Sequence, residues 1–317
     1  MNSPTPPNDP PDTGTDDAVR SVPFRSGFAA LVGRPNVGKS TLLNAVLDAP
    51  VSIVSPKPQT TRHRILGICT REHWQLVFMD TPGMHRKGSK AMNRYLNRTA
   101  VSAAAEADVE LFVVEALQWR EEDEEALRKA QSTGVPIVLV VNKTDLARPR
   151  DRLLPYLDQV QSKAEFAAIV PVSATRRDNL ERLESVVAEM LPEGPLLFPA
   201  DQLTDRNAQF RASEVIREKL TLRLHQELPY GLTVQIEQYR LERGGYSIHA
   251  VIWVEREGQK AIVVGKGGQA LRDAGRAARL TLKQELRRPV DLRLWVKVKS
   301  NWSDNEQALR HLGYESP

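Results

Sequence analysis

Apolar and polar positions alternate in blocks along the first two-thirds of the chain. Short apolar runs, Phe28 to Val32, Gln75 to Met79, Glu110 to Val114, Pro136 to Val141 and Ile169 to Val172, are separated by longer helical or polar stretches. This punctuation predicts parallel strands joined by helices, an α/β sheet over residues 27 to about 174. One more candidate strand, Ile65 to Thr70, meets the next through a short polar turn. A parallel return needs a dozen or more residues, so this pair is predicted to be an antiparallel hairpin. The expectation is a mostly parallel six-stranded sheet with one antiparallel edge strand, taking ligands at the carboxyl ends of its strands. Helix Asn179 to Met190 then runs into LPEGPLLFPAD, residues 191–201, where Pro192, Gly194, Pro195 and Pro199 deny continuation to helix or strand. A domain boundary falls there, with Leu196, Leu197 and Phe198 expected to pack the linker onto one domain. Beyond it the pattern gives a helix (about 207–227), two strands (232–240, 247–256), a short helix (259–264), a longer helix (269–287) and a strand (290–299).

Composition adds a location for the charge. The chain has 317 residues, 41% hydrophobic and 26% charged, with a net charge of +4. Residues 201–300 carry 19 Lys/Arg against 12 Asp/Glu, whereas residues 1–200 carry 24 against 25. The positive charge thus sits in the C-terminal third, the footprint of a polyanion-binding module. The single cysteine, Cys69, excludes an internal disulfide, fits a reducing cytosol and, between apolar neighbours, reads as a core residue. No apolar run approaches the 18 residues of a membrane span, and the N-terminus lacks the regions of a signal peptide. Residues 1–24, rich in Pro, Asp, Thr and Ser, read as a disordered tail.

Five motifs fall at predicted strand ends. GRPNVGKST, residues 33–41, follows the first strand and opens a helix; Gly33, Gly38, Lys39 and Ser40 match the phosphate loop G-x-x-x-x-G-K-[ST]. Its backbone, running through Arg34, Pro35, Asn36, Val37 and on to Thr41, would wrap a polyphosphate and aim at it the N–H of every residue but Pro35, with Lys39 near the outer phosphates and Ser40 on Mg2+. In Gln59, Thr60, Thr61, Arg62, the Thr61 hydroxyl could reach the metal and its N–H sense a γ-phosphate. DTPG, Asp80, Thr81, Pro82 and Gly83, supplies a second acidic partner for the metal and a Gly83 N–H for the γ-phosphate. NKTD, Asn142, Lys143, Thr144 and Asp145, reads as guanine recognition: the Asp145 carboxylate accepts from the ring N1–H and exocyclic amine, a pair that adenine lacks. Asn142 would tie this loop to the phosphate loop, and the Lys143 stem would cover the purine. In SAT, Ser173 and Ala174 precede Thr175, and the Ala174 N–H would meet the guanine carbonyl. Met84 stands where a water-orienting glutamine would serve, which predicts slow unassisted hydrolysis; His85 reads as uninvolved. The helix Glu121 to Gln131 reads as a solvated charged face, and the six histidines show no metal spacing.

In the second domain, Gly265, Lys266, Gly267 and Gly268 form a G-x-x-G turn between helices, able to clamp single-stranded RNA backbone. Arg272, Arg276, Arg279, Lys283 and Arg287 follow on one helical face, Leu271, Ala278, Leu282 and Leu286 on the other. Lys260 adds charge, and Ile262, Val263 and Val264, read as strand residues, are expected to wall the bases. The α-β-β-α-α-β order is that of a type II KH module.

GRPNVGKST, PQTTRHRI, DTPG, NKTD and EREGQKAIVVGKGG together resemble the Era family, bacterial GTPases with a C-terminal KH domain, over residues 27 to about 300. The resemblance implies a P-loop GTPase domain (25–192), a linker (193–205), an α+β type II KH domain (206–300) and a C-terminal tail (301–317). It implies GTP/GDP and Mg2+ as ligands. Partners would be RNA near the 3′ end of 16S rRNA in the small ribosomal subunit, with peripheral contact at the inner membrane. A cytoplasmic monomer is expected. Similarity to GTPases with N-x-G-K-S in the phosphate loop further implies that Asn36 holds K+. Alternative readings are an RNA-tethering module with incidental GTP turnover and a GTPase of tRNA modification.

Overall fold

The computed structural model describes residues 23–57, 60–83, 91–224 and 231–314. The expectations for the Pro-rich tail, Gln59, Met84 and His85 lie outside these residues. The first sheet has the order β2-β3-β1-β4-β5-β6, from strands β1 (Arg25–Val32), β2 (Ile65–Thr70), β3 (Trp74–Asp80), β4 (Val109–Glu115), β5 (Ile137–Asn142) and β6 (Ala168–Pro171). All neighbours are parallel except β2 with β3, the antiparallel edge pair expected from the short turn. The central strands are largely apolar, because helices cover both faces. Helices α1 (Lys39–Leu47) and α5 (Leu180–Met190) cover one; α2 (Ala91–Ala105), α3 (Glu121–Gln131) and α4 (Leu153–Gln161) cover the other. Alternate β1 residues divide accordingly, Ala29 and Leu31 toward α1 and α5, Ala30 and Val32 toward α2 and α3. Cys69 is buried in the first of these cores.

The second sheet, β7-β8-β9, joins β7 (Leu232–Glu242) antiparallel to β8 (Gly245–Val254) and β8 parallel to β9 (Val290–Val298). Helices α6 (Ala208–Arg223), α7 (Glu257–Val264) and α8 (Gln269–Leu286) pack on one face through Val215, Ile216, Leu220, Val263, Ala278 and Leu282. The parallel β8–β9 pair requires a crossover, which α7 and α8 provide. Ile262, Val263 and Val264 are therefore helical, as the predicted short helix 259–264 has them and contrary to their reading as strand residues that wall the bases. Val263 is an anchor in this core and wholly buried, so it cannot wall a base, while Ile262 is exposed. The β-branched triplet is held helical between the Arg256/Gln259 capping box and Gly265, which ends the helix with φ +72°.

Two connections exceed what the sequence suggested. The segment after α5 straps the open edge of β2: Ile68 N–H donates to Leu203 O (2.9 Å) and Leu66 N–H to Asp205 Oδ1 (3.0 Å). The Gln75 amide pins it, accepting from Leu197 and Phe198 N–H and donating to Phe198 O. Phe198 packs into the core while Leu196 and Leu197 stay exposed. At the other end, Trp302, α9 (Glu306–His311) and Tyr314 pack against Met92, Tyr95 and Leu96 of α2. Trp302 Nε1 also donates to Gly231 O (3.3 Å), which ties α2 to the second sheet.

Candidate nucleotide and RNA sites

The phosphate loop leaves β1 at Gly33 and enters α1 at Lys39. A Cβ at Gly33 (φ +142°) would meet Val113 O at 2.4 Å, and one at Gly38 (φ +102°) would meet Asn142 Nδ2 at 2.4 Å, so neither tolerates a side chain. Nothing caps α1 by side chain, which leaves its first N–H groups facing the loop's concavity. Lys39 Nζ, buried, donates to the carbonyls of Gly33 and Arg34 (both 2.9 Å). Burial pushes its pKa down to about 8 despite the opposing charge of Asp80. Gly83 lies against Pro35, closing the cleft that Asn36, Gly38, Lys39, Ser40, Thr60, Thr61 and Thr81 line.

Below Lys39, Asp80 is fully buried at the end of β3. Its Oδ2 accepts from Ser40 Oγ (2.7 Å), Ser52 Oγ (2.7 Å) and Thr61 Oγ1 (3.4 Å), and Ser40 and Thr61 hydroxyls are 2.9 Å apart. Oδ1 has no hydrogen-bond partner among the described residues, and burial raises the carboxyl's pKa. An orphaned carboxylate oxygen beside two hydroxyls is a set of hard oxygen donors, and it fits Mg2+. Ser52 was invisible to motif reading. Thr81 and Pro82 are buried, and Thr81 Oγ1 donates to Leu31 O (2.9 Å), locking β3 to β1.

At the opposite end, Asn142 Nδ2 donates to Val37 O (2.9 Å), making the predicted tie between the two loops. Its Oδ1 accepts from Lys143 N–H (2.8 Å) and from Ala174 N–H (3.1 Å). The Ala174 donor expected for a guanine carbonyl is thus already engaged by Asn142. Ser173 Oγ donates to Asp145 Oδ1 (2.6 Å) and fixes the carboxylate, while Thr144 N–H donates to Val172 O. Lys143 Nζ pairs with Glu115 Oε2 (2.8 Å), which also receives Arg34 (3.4 Å). Arg34 Nε reaches Asp123 Oδ2 (3.0 Å), so α3 is not merely a solvated face: Asp123 is wholly buried under the phosphate loop. Glu115 ends β4, where the strand-end rule could have singled it out; Asp123 gave no local signal.

The G-x-x-G turn stands as expected, with positive φ at Gly265, Gly267 and Gly268 (+72°, +57°, +77°). A side chain at Gly265 would strike Ala270, while Gly267 faces open space. Lys266, Arg272, Arg276 and Arg279 are exposed around it. Lys260 is paired loosely with Glu257 (3.6 Å), and Val264 is half-buried.

Lys57 and residues 60–63 connect the phosphate cleft to the second module. Thr61 bonds Ser40, while its neighbours bond the second sheet's module: Arg217 donates to Thr60 O (2.5 Å), Arg62 to Leu232 O (2.6 Å), and Lys57 to the carbonyls of Thr221 and Leu224. His63 lies between Tyr314 (stacked, 4.6 Å) and Phe210 (edge-on, 5.2 Å), and burial pushes its pKa down to about 3.

Comparison with known proteins agrees with this geometry. A family model described as 50S ribosome-binding GTPase matches residues 28–143, and a KH domain model matches residues 227–303. The GTPase Era of Haemophilus influenzae (strain PittGG) is 50% identical over 289 residues, 91% of this chain and 96% of that protein. That of Xanthomonas oryzae pv. oryzae (strain MAFF 311018) is 50% identical over 298 residues, 94% of this chain and all of that one. A crystal structure of an Aquifex aeolicus Era variant bound to GDP·AlF4− superposes with a TM-score of 0.89 at 38% identity, covering 92% of this chain and 99% of that one. A structure of Era with MgGDPNP and nucleotides 1506–1542 of 16S ribosomal RNA gives the same values. With both sites on two matching domains and half of all aligned positions identical, the chain belongs to the Era family of GTPases.

Proposed function

We propose that this protein is a GTP-hydrolysing switch whose nucleotide state sets its grip on RNA, by kinship the 3′ region of 16S rRNA during small-subunit maturation. The observation that carries this reading is the double attachment of residues 60–63. The segment whose Thr61 bonds Ser40 is also bonded to α6 and β7, so ordering it around a triphosphate orders the face it presents to the KH module. The units are taken as 25–192 and 206–300, strapped by 193–205 and clasped by 301–314.

In this reading the loop N–H groups from Gly33 to Thr41 and Lys39 hold the phosphates, and the N–H groups of Thr61 and Gly83 contact the γ-phosphate. Ser40, Thr61 and Asp80 hold Mg2+, which neutralises charge on the phosphate oxygens. Asp145, oriented by Ser173, accepts from guanine, and the Lys143 stem covers the ring. Transfer of the terminal phosphoryl group to water needs positioning and charge compensation from these groups and no covalent intermediate. Asn36 donates to Pro56 O (2.9 Å), and its carbonyl oxygen supplies the hard ligand that K+ would take. RNA backbone is gripped at Gly265 to Gly268 with Lys260, Lys266, Arg272, Arg276 and Arg279 around it, and Ile262 offers apolar surface to a base. Kinship with the Era family supports action in the cytosol with only peripheral contact at a membrane; among the described residues no helix is long and apolar enough to cross one.

The test is to crosslink bound RNA with the protein in GTP and GDP states and to sequence it. Reads concentrated near the 3′ end of 16S rRNA and enriched with GTP are expected; an even scatter over cellular RNA would sink the assignment. Replacing Gly265 and Gly268 by Asp should remove RNA binding while basal GTP hydrolysis persists.

A further inference from the structure

Helices α6, α7 and α8 cover only one face of the second sheet. On the other, alternate positions of β8 and β9 present His249 and Trp253 beside Arg293, Trp295 and Lys297. Trp295 is 43% exposed, although the helical side of the sheet already forms a complete core without it. The His249 ring stands edge-on to it at 5.4 Å, and His249 Nε2 has no hydrogen-bond partner among the described residues. Lys297 and Lys299 hold their ammonium groups 5.7 and 6.0 Å from the centre of the Trp253 ring. The acids on this side are paired laterally, Glu237 with Lys297 and Asp291 with Arg293.

We propose that this face is a second platform for single-stranded RNA, separate from the GKGG loop. A base stacks on Trp295, while Arg293, Lys297 and Lys299, the last two gathered over the Trp253 ring, meet the phosphates. Sheets recognise unpaired RNA in this way: flat rings accept any base face, and flanking cations follow the backbone. The occupant is RNA on two grounds, the excess of cations beside the rings and continuity with the loop. Helix α8 is about 27 Å long and β9 about 30 Å, and a three-residue turn folds them antiparallel. The GKGG turn at the start of α8 therefore lies at the same end of the module as Trp253, Lys297 and Lys299. A strand longer than the four nucleotides such a loop clamps can round that end onto the open face.

The test uses the full chain with a non-hydrolysable GTP analogue. Fluorescence anisotropy would compare a tetranucleotide, which reports the loop alone, with an unstructured 16-nucleotide RNA. Trp295→Ala should weaken the 16-mer about tenfold, the loss of one base stack, and leave the tetranucleotide unchanged; Trp295→Phe should retain most of the affinity. Lys297→Ala with Lys299→Ala should flatten the salt dependence of 16-mer binding by one to two phosphate contacts. Unchanged 16-mer affinity in Trp295→Ala overturns the proposal, whatever the tetranucleotide does. So does a loss of self-association in sedimentation without any loss of 16-mer binding, which would make the face a contact between copies of this chain.

Discussion

Replacing Arg217 by leucine removes three hydrogen bonds: two to the Glu214 carboxylate (2.7 and 2.6 Å) and one to Thr60 O (2.5 Å). Their losses can be separated. Burial alone would push the Glu214 pKa up, but the charge and hydrogen bonds of Arg217 outweigh it and hold the carboxyl below its usual range. Without Arg217, Glu214 becomes an unpaired buried charge, and breaking such a pair from one side costs about 3–5 kcal/mol. The double replacement Glu214→Leu with Arg217→Leu removes that charge as well, and exchanges of this kind are commonly near neutral in stability. What it cannot restore is the bond to Thr60. A hydrogen bond from a charged donor contributes about 1.5–3 kcal/mol, which is roughly 10- to 150-fold in an equilibrium. RNA affinity would be measured with a GTP analogue and with GDP, and thermal melting would verify the fold. In the double variant the ratio of the two affinities should shrink by at least about tenfold. Linkage requires the same factor in the effect of RNA on nucleotide affinity. An unchanged ratio in a double variant that melts like wild type would refute the claim that this bond carries the coupling.

Four further outcomes are expected. Glu110, buried in β4 with only Thr133 Oγ1 bonded to it among the described residues, is pushed up to a pKa of about 7 by burial. The folded state thus holds a proton that the unfolded chain releases near pH 4.5, so its contribution to stability is present in acid and lost as pH rises through 7. Glu110→Gln should raise stability by up to about 3 kcal/mol at pH 8 and by almost nothing at pH 4, read from urea melts at both pH values. Asp123→Ala leaves Arg34 short of its nearest buried partner and should cost about 3 kcal/mol, with weakened GTP binding by calorimetry. Asp145→Asn exchanges an acceptor for a donor and should move preference from GTP toward xanthosine triphosphate in competition binding. Hydrolysis should be faster in KCl than in NaCl for wild type and equal in both salts for Asn36→Ala.

The sheet and the five motifs were legible because their signals are local. Strand runs, the glycine spacing and the terminal positions of Asp80 and Asn142 are all properties of contiguous residues, and the rule that ligands gather at strand ends did the rest. The supports of the site were not legible. Asp123 meets Arg34 across 89 positions, Ser52 meets Asp80 across 28, and only the folded chain brings them together. The short helix over 259–264 was legible, but the base wall assigned to Ile262 to Val264 as strand residues was not: β-branched residues favour strands, and tertiary anchoring of Val263 in the helical layer overrode that preference. The closing segment was obscure for another reason: Trp302, Leu309 and Tyr314 are too few and too widely spaced to form a period, although each is almost wholly buried.

The strap over β2 bears on how the chain reaches this state. Until residues 193–205 have left the ribosome, the outer edge of β2, Ile65–Thr70, is unpaired, although all of the strand but Thr70 is buried once folding is complete. Such an edge invites pairing with another nascent copy. The strap competes from within the same molecule at an effective concentration in the millimolar range, far above that of any neighbouring chain. The Gln75 amide then latches it with three hydrogen bonds. The linker that separates the two modules thereby also acts as the first-arriving guard of the sheet, and slowing its synthesis should raise aggregation without altering the mature protein.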